Sequence, residues 1–85
     1  MKKVQDSKKA QILVVDDEAG IRQTLKDFLT GHGFAVLTAG EGEEALSLFQ
    51  TYPIDLVIAD IRMPGELNGL MLTRRIKDLN PNTPV

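Results

Sequence analysis

The chain has 85 residues, 42% hydrophobic and 26% charged, with a formal net charge of −2. That is the balance of one small globular domain or part of one, with no general attraction to nucleic acid or to an anionic membrane surface. It has no cysteine, which excludes disulfides and thiolate metal sites and fits a reducing compartment, and no apolar run approaches the ~20 residues of a membrane-spanning helix.

Residues 1–10, MKKVQDSKKA, carry four lysines without an apolar stretch among them, so they read as a solvated, flexible tail rather than a signal peptide. Ile12 to Val15 is a short continuous aliphatic run, as in a strand covered on both faces. It runs directly into three acids, Asp16, Asp17 and Glu18. Ile21, Leu25, Phe28 and Leu29 then recur at helical spacing, and Gly31 and Gly33 supply a stop. Phe34 to Ala39 reads as a second strand. Ala45, Leu46, Leu48 and Phe49 mark a second helix, ended at Tyr52-Pro53. Ile54 to Ala59 is a third strand, again bounded by an acid, Asp60. After the loop RMPGELNG, Leu72, Ile76 and Leu79 give a third helix, closed at Asn80-Pro81.

The order is β-α-β-α-β-α with short connections, which implies an α/β fold: a doubly wound parallel sheet with helices on its faces. Ligands of such sheets sit beyond the carboxyl ends of the strands. Asp16 and Asp17 follow the first strand and Asp60 follows the third. If those strands are neighbours, three carboxylates meet on one rim.

Oxygen ligands without His or Cys suit a hard divalent cation, above all Mg²⁺. The cation would also offset the mutual repulsion of the acids. A carboxylate held beside Mg²⁺ can itself attack a phosphoryl group. The competing reading makes Asp16 and Glu18 caps of the following helix, favoured near its positive end. Capping suits Glu18 better, and the shared rim suits Asp17 and Asp60 better.

The stretches ILVVDDE, DLVIADIRMP and NGL together resemble the receiver domain of bacterial response regulators, over residue 11 to the end. Asp17 and Asp60 stand 43 positions apart, as the family pattern expects. The resemblance implies a flavodoxin-like receiver fold in which strands 2-1-3 of the order 2-1-3-4-5 are present. It implies that Asp60 is the phosphoacceptor, taking a phosphoryl group from a sensor histidine kinase or phosphotransfer protein with Mg²⁺ as cofactor. Asp17 would bind the metal directly, Asp16 mainly through water, and Arg62 through its backbone carbonyl. Met63 and Pro64 would shape the loop, and Gly69 matches the family's glycine before the third helix. It further implies a cytoplasmic protein that relays its state to an output domain or effector. On this reading the domain is a phosphorylated switch, not an enzyme.

The chain departs from the family in two places. Four residues, Gly65 to Asn68, lie between Pro64 and Gly69 where the family usually has three, which leaves the start of the third helix open. A receiver also has five β-α units, whereas three are present here. Thr83-Pro84-Val85 looks like the beginning of a fourth strand, so a longer parent protein is expected. The family's switch Ser/Thr and its phosphate-contacting Lys have no match: Thr83 precedes that strand and Lys77 lies within the third helix. As an edge, the third strand would carry unpaired N–H and C=O groups and recruit other strands, giving self-association.

Gly40 to Ala45, GEGEEA, formally matches a dinucleotide fingerprint, but its three glutamates would repel a pyrophosphate and it follows the second strand; a turn and helix start is the better reading. His32 suits a helix end, Arg74 and Arg75 a solvated helix face, and Phe28, Phe34 and Phe49 the core. Two other functions compete with the switch. One is a pseudo-receiver or truncated fragment acting only as a protein-interaction module. The other is an Asp-nucleophile phosphatase, disfavoured because no Asp-x-Asp stands at the first or third strand end.

Overall fold

The computed structural model describes residues 9–60 and 68–85. The expected tail therefore lies almost wholly outside the described residues, as do Arg62, Met63 and Pro64. Three strands, β1 (Gln11–Val15), β2 (Ala35–Ala39) and β3 (Leu56–Ala59), alternate with three helices, α1 (Ala19–Gly31), α2 (Gly42–Thr51) and α3 (Gly69–Leu79). The strands form one parallel sheet in the order β2-β1-β3. The expected 2-1-3 arrangement of an open, doubly wound sheet is what the structure contains.

The central place of β1 explains its unbroken aliphatic run. Leu13 and Val15 point into a core with Ala39, Ala45, Val57, Leu72 and Ile76, under α2 and α3. Ile12 and Val14, alternating to the other face, are also buried, on the side of the sheet that α1 covers. The crossovers from β1 to β2 and from β2 to β3 run in opposite directions across the sheet. With one handedness, that reversal puts α1 and α2 on opposite faces.

Local chemistry sets the element ends. Gly33 has φ of +93°, the left-handed conformation that stops α1, while the amides of His32, Gly33 and Phe34 close on the last carbonyls of the helix. Asn68 caps α3, its side chain accepting from the Met71 amide at 3.0 Å, which fixes the helix start that the lengthened loop left open. β2 begins at Ala35 and β3 at Leu56, one and two residues later than the sequence predicts. Ile54 still packs against the core, so its burial comes from the approach to the strand.

Two expectations are corrected. Phe28 is not core: it is 60% exposed, with its ring against that of His32, the residue capping α1. At 100° per residue, the face of α1 turned to the sheet is centred on Arg22, Leu25 and Leu29, which are half-buried, and Ile21 and Phe28 fall on its flank. The outer edge of β3 is also not a bare row of unpaired groups, because the Val57 amide donates to the Pro84 carbonyl at 3.0 Å. The C-terminal residues lie alongside the strand.

Candidate functional site

The site grows from the carboxyl ends of β1 and β3. Val15 and Ala59 are register partners, so the residues after them leave the sheet side by side. Backbone pairing continues one step beyond the strands. The Asp60 amide donates to the Val15 carbonyl at 3.0 Å, and the Asp16 amide donates to the Ala39 carbonyl at 3.1 Å. Asp16 and Asp60 are therefore held by backbone bonds that do not depend on their charges.

Asp16, Asp17 and Asp60 each bring a carboxylate oxygen within 4.8 Å of the other two. Asp16 is buried, Asp60 half-buried and Asp17 exposed, so the group spans the rim from interior to solvent. Oxygens at 2.0–2.1 Å from a six-coordinate Mg²⁺ stand ~3 Å apart when adjacent and ~4 Å apart when opposite. A spread of 4.8 Å closes onto such an ion with shifts of less than about an ångström. The donor set fits as well, being wholly carboxylate oxygen.

Asp16 has a second task. Its Oδ1 accepts from the Glu18 amide at 2.9 Å, which turns the chain into α1. Glu18 occupies the N-cap position, but its side chain makes no capping bond, so the expected cap by Glu18 is not made; the Asp16 bond to the Glu18 amide is a turn just ahead of the helix. Gly69 is the first residue of α3 and is buried.

Lys77 and Thr83 stand apart from the rim. The Lys77 ammonium donates to the Thr83 carbonyl at 2.6 Å, and Thr83 is buried next to Pro84, which bonds Val57. The stretch Gly40 to Ala45 forms the turn and start of α2, with the Gly40 amide donating to Glu44 Oε1 at 3.0 Å. Arg74 and Arg75 are exposed.

Sequence reasoning missed Arg22. Its Nη1 donates to the Asp16 carbonyl at 2.6 Å, and its guanidinium lies against Gly40. The available signal was spacing: Arg22 continues the sheet-facing stripe of Leu25 and Leu29, where a charged residue needs a partner.

The family model of the response regulator receiver domain matches residues 12–85. Among curated relatives, a probable transcriptional regulator, ycf27, of Cyanidium caldarium is 44% identical over 86% of this chain and 29% of its own length. The response regulator TrrA of Thermotoga maritima, solved in complex with Mg²⁺-BeF, is 46% identical, with a TM-score of 0.80 over 85% of this chain and 62% of that one. A structure of histidine kinase ThkA in complex with TrrA aligns with a TM-score of 0.81 and 44% identity, over 87% of this chain and 63% of that one. The chain thus spans less than a third of the ycf27 relative and less than two thirds of these receiver structures. With its strand order, its rim of acids and its sequence all agreeing, the chain belongs to the response regulator receiver domain family of two-component signalling.

Proposed function

We propose that this receiver, residues 11–85 of the chain, accepts a phosphoryl group on Asp60 from a histidine kinase or phosphotransfer protein and relays the change to an output domain or effector. The observation that carries the reading is the convergence of Asp16, Asp17 and Asp60 within 4.8 Å at the ends of two paired strands. A carboxylate oxygen of Asp60 attacks phosphorus, the bond from phosphorus to the donor nitrogen breaks, and the imidazole leaves with the electron pair. Asp17 and Asp60 would hold Mg²⁺ directly and Asp16 mainly through water; the ligand role of the Arg62 carbonyl rests on the family resemblance alone, since Arg62 lies outside the described residues. When bound, the ion supplies positive charge against the transferring group. The loop-shaping roles of Met63 and Pro64 rest on the same resemblance, and Gly69 opens α3.

The Mg²⁺-BeF and kinase complexes of the Thermotoga regulator support both the cofactor and the donor class. The curated relatives are transcriptional regulators, which supports a gene-regulatory output carried by other parts of such proteins. On this reading the domain is the substrate of a kinase and a switch, not an enzyme in its own right. A cytoplasmic site of action fits that role, and no helix among the described residues is long and apolar enough to cross a membrane.

One alternative is an interaction module without a phosphoryl cycle. Intact mass after incubation with acetyl phosphate and Mg²⁺ separates the readings. An alkali-labile gain of about 80 Da (one phosphoryl group), lost in Asp60→Asn, is the expected result. No gain assigns the interaction module, and steady release of phosphate assigns a phosphatase.

A further inference from the structure

We propose that Arg22 is a positioning residue for the acidic rim, with its guanidinium packed against Gly40. The inference rests on the cation-binding part of the receiver reading and goes beyond the residues assigned to it.

Three hydrogen bonds make a closed cycle at the start of α1. Asp16 Oδ1 accepts from the Glu18 amide at 2.9 Å, the Glu18 carbonyl accepts from the Arg22 amide at 3.1 Å, and Arg22 Nη1 returns to the Asp16 carbonyl at 2.6 Å. Both the side chain and the peptide group of Asp16 are fixed by this cycle. The peptide held by Arg22 is the one that joins Asp16 to Asp17, so its orientation sets where the Asp17 carboxylate emerges. The amide side of Asp16 is tied to β2 through the Ala39 carbonyl. Gly40 follows Ala39, and a Cβ built there would sit 3.1 Å from Arg22 Nη1, 3.5 Å from Cζ and 3.9 Å from Nη2. The guanidinium is therefore wedged between the ends of β1 and β2. A methyl group at Gly40 asks the guanidinium to give by a few tenths of an ångström, and that shift acts on the 2.6 Å bond to Asp16.

A purely electrostatic role for Arg22 gives the opposite sign. A cation beside the rim competes with a metal ion, so removing it would tighten Mg²⁺ binding. Positioning requires that its removal loosen binding. A hydrogen bond from a charged donor at a half-buried site accounts for a loss of about tenfold.

The test is Mg²⁺ titration of the protein, followed through the Asp17 and Asp60 amide resonances, with acetyl phosphate labelling rates measured beside it. Arg22→Ala and Gly40→Ala are each expected to weaken Mg²⁺ binding. The double variant is expected to be no weaker than Arg22→Ala alone, because both changes break the same link. Arg22→Lys, which keeps the charge and a donor, should fall between. Arg74→Ala, which removes an exposed arginine on α3, should leave affinity unchanged. Unchanged or tighter binding in Arg22→Ala, or additive losses in the double variant, overturns the proposal. If Arg22→Ala does not fold, Gly40→Ala and Arg22→Lys decide by the same criterion. A wild-type protein that takes no phosphoryl group counts against the acceptor reading, while the Mg²⁺ affinities still decide the role of Arg22.

Discussion

Replacing Asp60 by Asn removes one charge from a cluster of three while keeping the side chain's shape. Two like-charged pairs disappear, Asp60 with Asp16 and Asp60 with Asp17, each with oxygens within 4.8 Å. At that separation one pair costs about 1 kcal/mol at the dielectric of water and about 3 kcal/mol at an effective value of 20. Asp17 is exposed and Asp60 half-buried, so the lower figure applies to that pair; Asp16 is buried, so its pair with Asp60 falls between the two figures, and the variant gains about 2 kcal/mol without metal. The backbone bond from residue 60 to the Val15 carbonyl is indifferent to the change, so the fold should be kept. Thermal unfolding in EDTA should therefore rise by about 4–8 °C for each 1 kcal/mol gained in a domain of this size. Added Mg²⁺ reverses the order. At about one hundred times its Kd it stabilises the wild type by about 2.7 kcal/mol, and the variant, which has lost a ligand, gains little. The crossing of the two curves is the signature of a repelling cluster built for a cation. If Asp60→Asn unfolds in EDTA, or is no more stable than the wild type there, the carboxylate has a structural role and the electrostatic account is refuted.

Asp17→Ala should weaken Mg²⁺ binding at least tenfold, whereas Glu18→Ala, which removes a side chain without a capping bond, should change it little; titration of both variants checks this. Asn68→Ala should cost about 1 kcal/mol in urea unfolding through loss of the bond to the Met71 amide. Ile76→Val should cost about 1 kcal/mol by the same assay, since Ile76 is fully buried against Leu72 and the strands. Deleting residues 83–85 strips the Pro84 cover from the β3 edge, and concentration-dependent sedimentation should show stronger self-association than in the undeleted chain.

The sequence made the strands legible because their apolar runs are short, β-branched and bounded by turn residues. The Ile12–Val15 run also revealed that its strand is central, since only a strand covered on both faces can be apolar without alternation. The acids were legible as a site for a related reason. A charged pair directly after such a strand has to leave the sheet where ligands bind. What was not legible lay on α1. Reading the helix from its apolar residues alone put Phe28 in the core and ignored Arg22, although the sheet-facing stripe runs through Arg22, Leu25 and Leu29. A charged residue on a covered face is informative because it must find a partner there. The hydrogen bond it makes to a backbone carbonyl leaves no trace in composition or periodicity.

The geometry also resolves why a buried strand should run straight into mutually repelling acids. The repulsion cannot splay the rim apart, because the amides of Asp16 and Asp60 are already committed to the carbonyls of Ala39 and Val15. The Asp16 carboxylate is committed in turn to the Glu18 amide, and the Asp16 carbonyl to Arg22. Backbone bonds at the sheet's end thus carry the positional load, and the carboxylates are left to respond to charge. A cation entering such a rim gains attraction from all three acids while having few groups to reorganise. A phosphoryl group arriving on Asp60 would alter the charge at a point tied directly to the central strand. The same strand-end register brings the three acids together in the first place.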